Sequence, residues 1–228
     1  VPDGFNLSTA IDYSDVAVLI NNQSEASRTI GWAFVNARNI SAERVFIFDN
    51  SSTPTGETIN REKFDTYFLD PFRAMLSTYN GTDINYLVST KGVPLRISGG
   101  NNKASFDQEI SLVGGSYDAE IGTDWWGTHG YGPLAGKELK EFTRDEYGFF
   151  LVTRLTGYTV ETALGLIEKA NNSYGARGTH VLDLATNRND TGYKFWNDDL
   201  YVTNTTLNGT KNLPVIFDEE TEFLTNMS

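Results

Sequence analysis

Short apolar runs separated by amphipathic stretches organise this chain, and they leave few folds open. Val16 to Ile20 is apolar throughout, the pattern of a strand buried on both faces. A helical pattern follows from Glu25 to Arg38, with Ala26, Ile30, Ala33, Phe34 and Ala37 on one face and Ser24 placed to cap its start. Val45 to Phe48 reads as a second strand that runs out at Asp49. Residues 59–69 read as helix, and the Asp70-Pro71 pair is expected to restart one, with Asp as cap and Pro at the first position. Ile84 to Thr90, residues 148–155, Val181 to Ala185 and Leu213 to Phe217 supply four more strands. Helices are expected over Val160 to Ala170, behind Thr159, and over residues 192–203. This alternation predicts an α/β fold: a three-layer sandwich around a mostly parallel sheet of about six strands, Rossmann- or caspase-like. Residues 98–147 break the rhythm. Glycine-rich and carrying Trp125, Trp126 and His129, they are expected to form an insertion over one end of the sheet, within one domain spanning residues 1–228.

Composition then removes whole classes of function. Eighteen basic side chains against 30 acidic ones leave a net charge of −12, which disfavours nucleic acid and anionic membrane as partners. The longest apolar run is far shorter than the roughly 18–20 residues a membrane span needs, so no span is expected. There is no cysteine, which excludes disulfides, thiolate metal sites and a cysteine nucleophile together. Two histidines, His129 and His180, are too few for a polyhistidine metal centre.

The N-x-S/T acceptor pattern occurs at Asn6, Asn22, Asn39, Asn50, Asn80, Asn171, Asn189, Asn204, Asn208 and Asn226. With 20 asparagines and 40 serines and threonines in 228 residues, chance gives roughly 3.5 such sites where the chain has ten. The excess points to an exported chain with covalent N-glycans on exposed turns. The start at Val1, with no initiator Met, reads as a mature product freed of its signal peptide, and the end at Ser228 as a point beyond which the protein continues. An exported chain without cysteine fits an archaeal cell surface better than a disulfide-stabilised secreted domain.

In a doubly wound sheet, ligands sit beyond the carboxyl ends of the strands, where Asn21, Asp49, Lys91, Arg96 and Asp218 fall. Lys91 and Arg96 flank the turn Gly92-Val93-Pro94 and could hold a carboxylate or phosphate, or neutralise Asp49 or Asp107. Asp107 and Glu109 lie two apart in FDQEISLV. In a strand they would share one face, as a solvent-facing row, as an acid–base pair or as ligands to a hard cation. Asp118, Glu120 and Asp124 could bind Ca2+, yet they lack the glycine and spacing of a calcium loop, and no other cofactor is indicated. Gly130-Tyr131-Gly132-Pro133-Leu134-Ala135 has the form G-x-G-x-x-A. It follows no strand, and Pro133 stands where a phosphate-cradling helix would begin, so it is no nucleotide site. His129 beside Trp125 and Trp126 could belong to a binding site in which the indoles stack on a sugar, or the rings could anchor the flap by burial. His180, at a strand start, reads as a packed or capping residue.

The blocks NYLVSTKGVPLRI (85–97), SFDQEISLV (105–113) and FLVTRLTGYTVETALGLIEKA (150–170) resemble those of a family of uncharacterised, mostly exported α/β proteins of archaea and some bacteria. Residues 16–40, a strand followed by a Ser-x-x-Ser helix, extend the likeness. The resemblance implies a fold and an exported setting rather than an activity. More distantly, the Arg154-Leu155 strand with its Thr-capped helix is similar to gingipain-type, caspase-like cysteine peptidases. These need a His–Cys pair that this chain does not contain. The expected role is a non-catalytic, N-glycosylated extracellular protein that assembles with itself or with other surface glycoproteins into a layer, sheath or filament. A secreted hydrolase using carboxylates or a bound cation, with Asp49, Lys91, Asp107 and Glu109 as the residues to test, and a carbohydrate-binding module using Trp125 and Trp126, are the alternatives.

Overall fold

The structure, a computed structural model, describes residues 13–79, 83–99, 104–123, 142–172, 178–184 and 194–220. Trp125, Trp126, His129 and Asp124 lie outside these, as do Asn6, Asn80, Asn189 and Asn226, and Asn171 is placed by its backbone only. The chain falls into two compact units, residues 1–171 and 172–228.

In the first unit β1 (Val16–Asn21), β2 (Val45–Phe48), β4 (Tyr86–Thr90) and β7 (Leu151–Leu155) form a parallel sheet in the order β2-β1-β4-β7. β1 is buried along its whole length because both its faces are covered. Ala17 and Leu19 join one core with Phe46, Phe48 and Leu87. Val16, Val18 and Ile20 join the other with Val35 and Ile40. Helix α1 (Glu25–Arg38) supplies Val35 to that second core, where the Cβ of any residue replacing Gly31 would stand 2.7 Å from Ile20. The first core is filled by phenylalanines. Phe64 and Phe68 each pack edge to face on Phe106, and Phe48 on Phe68, with centroids 4.9–5.5 Å apart. This is the expected α/β sandwich with helices on both faces of a parallel sheet.

Three expectations change. Asp70-Pro71 does not restart a helix. Helix α2 (Arg61–Phe64) runs through a π turn at Asp65–Leu69 into α3 (Asp70–Thr78), and Asp70 has helical φ and ψ of −64° and −44°. Pro71 has no N–H, and its ring crowds the carbonyl one turn back. Widening the preceding turn accommodates it without breaking the helix.

Asp107 and Glu109 are in no strand either. They lie in helix α4 (Phe106–Leu112), started by a capping box in which Ser105 accepts from the Gln108 N–H and Gln108 accepts from the Ser105 N–H. Residues 98–147 thus contribute core structure through α4, through the short strand β6 (Ala104–Ser105), and through α5 (Arg144–Tyr147). β6 pairs antiparallel with β5 (Arg96–Ser98), which pairs parallel with β3 (Thr58–Asn60) in a small second sheet.

Among the described residues the main sheet has four strands, so the expected count of about six is met only in part. Helix α6 (Val160–Asn172) follows β7, its first turn capped by the Thr159 hydroxyl. In the second unit β8 (His180–Asp183) and β9 (Val215–Asp218) pair parallel with each other and flank α7 (Lys194–Asn204). His180, exposed, begins β8 with its N–H on the Pro214 carbonyl. Among the described residues, no helix is long and apolar enough to cross a membrane.

Candidate functional site

The chain runs from β1 to β2 on one side and returns to β4 on the other, so the crevice beyond β1 and β4 is the switch point of the sheet. Here the crevice is closed by the chain's own polar groups. Asn21, fully buried, donates from Nδ2 to the Pro54 and Gly92 carbonyls, both at 2.9 Å. Its N–H donates to Ser27 Oγ at 2.8 Å, and Ser27 Oγ and Thr90 Oγ1 share a hydrogen bond of 2.6 Å. Gly92, at φ +98°, lies against Ser24, the N-cap of α1. The helix N-terminus, where such folds commonly hold an anion, therefore carries the turn after β4 instead.

The cations expected to flank an anion are placed differently from one another. Lys91 Nζ donates to the Gly157 carbonyl at 3.3 Å, while Arg96 is exposed on β5. Neither neutralises Asp49 or Asp107. Asp49 accepts from the Asn22 amide. Asp107 is gripped by Arg154, Nε to Oδ2 at 2.8 Å and Nη2 to Oδ1 at 2.7 Å, and accepts from Ser89 Oγ at 2.9 Å. The remaining Arg154 donors reach the carbonyls of Thr90, Val93 and Pro94, which fixes the turn that covers the crevice. Glu109, 2% exposed, takes both arms of the Arg61 fork at 3.1 Å and the Gly122 N–H at 2.8 Å. Asp107 and Glu109 are thus two separate structural locks rather than a pair, since their acceptor positions already hold arginine. Asp118 is engaged by Arg73 and the Gly114 N–H, and Glu120 by the Thr123 hydroxyl. Among the described residues no group of three potential ligands could hold a metal ion.

A site that the sequence did not signal lies along the α2–α3 helix. A cleft of about 930 Å³ is lined by Arg61, Glu62, Asp65, Asp70, Arg73 and Asp118, with Asn60, Ser98 and Gly122 at its edges. Asp65 opens the π turn, and its carboxylate accepts no hydrogen bond among the described residues. Burial pushes its carboxyl above the usual range, and repulsion from Asp70 and Glu109 adds to this against the pull of Arg61 and Arg73. A carboxyl raised in this way takes up its proton at higher pH in the folded chain than in the unfolded one. Its unfavourable contribution is absent below the unfolded value and grows as pH rises through the folded one. Asp65→Asn is therefore expected to raise the thermal midpoint slightly at neutral pH and to leave it unchanged near pH 3. An equal shift at both pH values, read by circular dichroism, would count against a raised Asp65.

No family model, no curated protein and no solved structure matches the chain.

Proposed function

We propose that the chain is an N-glycosylated extracellular protein without catalytic activity, acting in self-assembly or as a component of a cell-surface layer, sheath or filament. The observation that carries this reading is the threefold excess of acceptor sequons. Two of them, Asn39 and Asn50, stand exposed on turns of the first unit. The closed switch-point crevice supports the absence of catalysis there. Assembly is supported by apolar surface such as Tyr158, 98% exposed, and the adjoining exposed rings of Phe195 and Trp196. A net charge of −12 opposes self-association, so assembly should strengthen with salt. Native, untreated material imaged by electron microscopy, with intact mass before and after glycan removal, provides the test. Ordered polymers that lose the mass of several glycans are expected. Dispersed monomers at high concentration and salt would overturn the assembly, and an unshifted mass would overturn the glycosylation.

A second reading, a secreted hydrolase using carboxylates or a bound cation, is favoured by one observation: Asp65 lines the cleft with a carboxylate that accepts no hydrogen bond among the described residues and that burial raises above its ordinary value. It moves the candidate residue away from Asp49, Lys91, Asp107 and Glu109. Under this reading Asp65→Asn abolishes hydrolysis of peptides or glycans while the fold gains stability.

A further inference from the structure

Resting on the reading of the chain as an N-glycoprotein, we infer that the fold itself selects among the acceptor sites: Asn39 and Asn50 carry glycans, whereas Asn22, Asn204 and Asn208 do not. Transfer from an activated glycosyl phosphate forms an N–C bond at the asparagine Nδ2, which gives up one proton, and breaks the sugar–phosphate bond, the phosphate leaving with the donor. It requires a hydroxyl two residues on, so both groups must be presented together on an accessible turn.

At Asn50 the side-chain oxygen accepts the Ser52 N–H at 2.9 Å, and the turn is closed by Thr53 N–H to the Asn50 carbonyl at 2.9 Å. The oxygen holds the turn, which leaves Nδ2 of this exposed residue without a hydrogen bond among the described residues, with exposed Ser52 two positions on. Asn39 ends α1 in the left-handed conformation, φ 52° and ψ 42°. Its side chain is exposed and unengaged among the described residues. Ser41 is also exposed and makes no capping bond, and the buried Ile40 between them anchors the turn.

Asn22 is the reverse case. Its Nδ2, the atom to be modified, donates to Asp49, and its carbonyl accepts from Arg28. The hydroxyl of its sequon belongs to Ser24, 8% exposed and occupied as the N-cap of α1 by the Ser27 N–H. Asn204 has helical φ and ψ of −58° and −47°, and its Oδ1 is buried. In a helix, residues two apart point about 200° apart, so amide and hydroxyl cannot meet. The Thr206 hydroxyl is moreover bonded to the Val202 carbonyl at 2.9 Å. Asn208 is exposed, yet it lies with Thr210 in the helical turn Thr205–Thr210 and fails by the same geometry. Exposure alone does not decide the outcome; backbone conformation does.

Glycopeptide mass spectrometry of native protein tests this. Trypsin places Asn39 in peptide 39–44, Asn50 in 45–61, and Asn204 with Asn208 in 195–211. Fragmentation that retains the glycan separates Asn22 from Asn6 within 1–28. Glycan mass is expected on 39–44 and 45–61 in most molecules, with none on Asn22 or on 195–211. A glycan at Asn22, Asn204 or Asn208, or bare Asn39 and Asn50 with glycans elsewhere, overturns the selection and leaves the glycoprotein reading standing. A chain without glycan at any site overturns the glycoprotein reading itself.

Discussion

Arg154→Ala is expected to destabilise the first unit by about 3–5 kcal/mol, seen as a lower urea midpoint without a change in secondary structure at zero denaturant. The Arg154 side chain is 11% exposed and engages both oxygens of Asp107 and three carbonyls of the turn after β4, those of Thr90, Val93 and Pro94. Removing it strands a carboxylate beside Ser89 and leaves those carbonyls unpaired, and the loss from an orphaned partner exceeds the net worth of the pair. Arg154→Lys should recover little, because an ammonium cannot make the two-pronged contact and reach the loop at once. Removing both charges, with Arg154→Met and Asp107→Leu, should restore part of the loss. A destabilisation below about 1 kcal/mol for Arg154→Ala would show that solvent screens the pair and that the loop is held by other means.

The lock explains what could be read in the sequence and what could not. Strand β2 and helix α1, with its Ser24 cap, lie where the apolar pattern and capping chemistry put them, because both signals are local. The capping box at Ser105 and Gln108 is equally local, but the alternation in FDQEISLV suits a short strand as well as two helical turns. The apolar run at residues 148–155 marked burial rather than pairing: Phe149 and Phe150 pack in cores, and the strand begins only at Leu151. Nothing in the pattern of β8 and β9 says that they pair with each other, since partner choice depends on contacts distant in sequence. The same limit applies to the site. Asn21, Asp49 and Lys91 sit at the carboxyl ends of the strands as the alternation implied, yet which partner each side chain takes is a matter of geometry. Asp65 carried no signal, being one acid among 30, until the π turn and the cleft placed it.

Gly92→Ala tests whether the switch-point crevice is a lock or a site. The residue has φ +98°, where a side chain is strained, and a Cβ there would stand 2.0 Å from Ser24 Oγ and 2.7 Å from Ser24 Cβ. Ser24 Oγ could rotate away only by giving up its cap, and its Cβ cannot move without shifting the start of α1. Strain of about 1–3 kcal/mol and loss of a cap worth about 1 kcal/mol together predict a fall of roughly 2–4 kcal/mol in unfolding free energy. A lock predicts this loss and no phosphate binding by the parent chain, because the α1 N-terminus is already covered by the turn that Asn21 and Arg154 hold. A site predicts the opposite division: saturable binding of phosphate by the parent chain, and its loss in the variant with little change in stability. Thermal unfolding of both proteins with and without phosphate separates the two. A phosphate-dependent rise in the parent's midpoint would mean that the turn at Gly92 opens in solution, and the case for a non-catalytic crevice would fall with it.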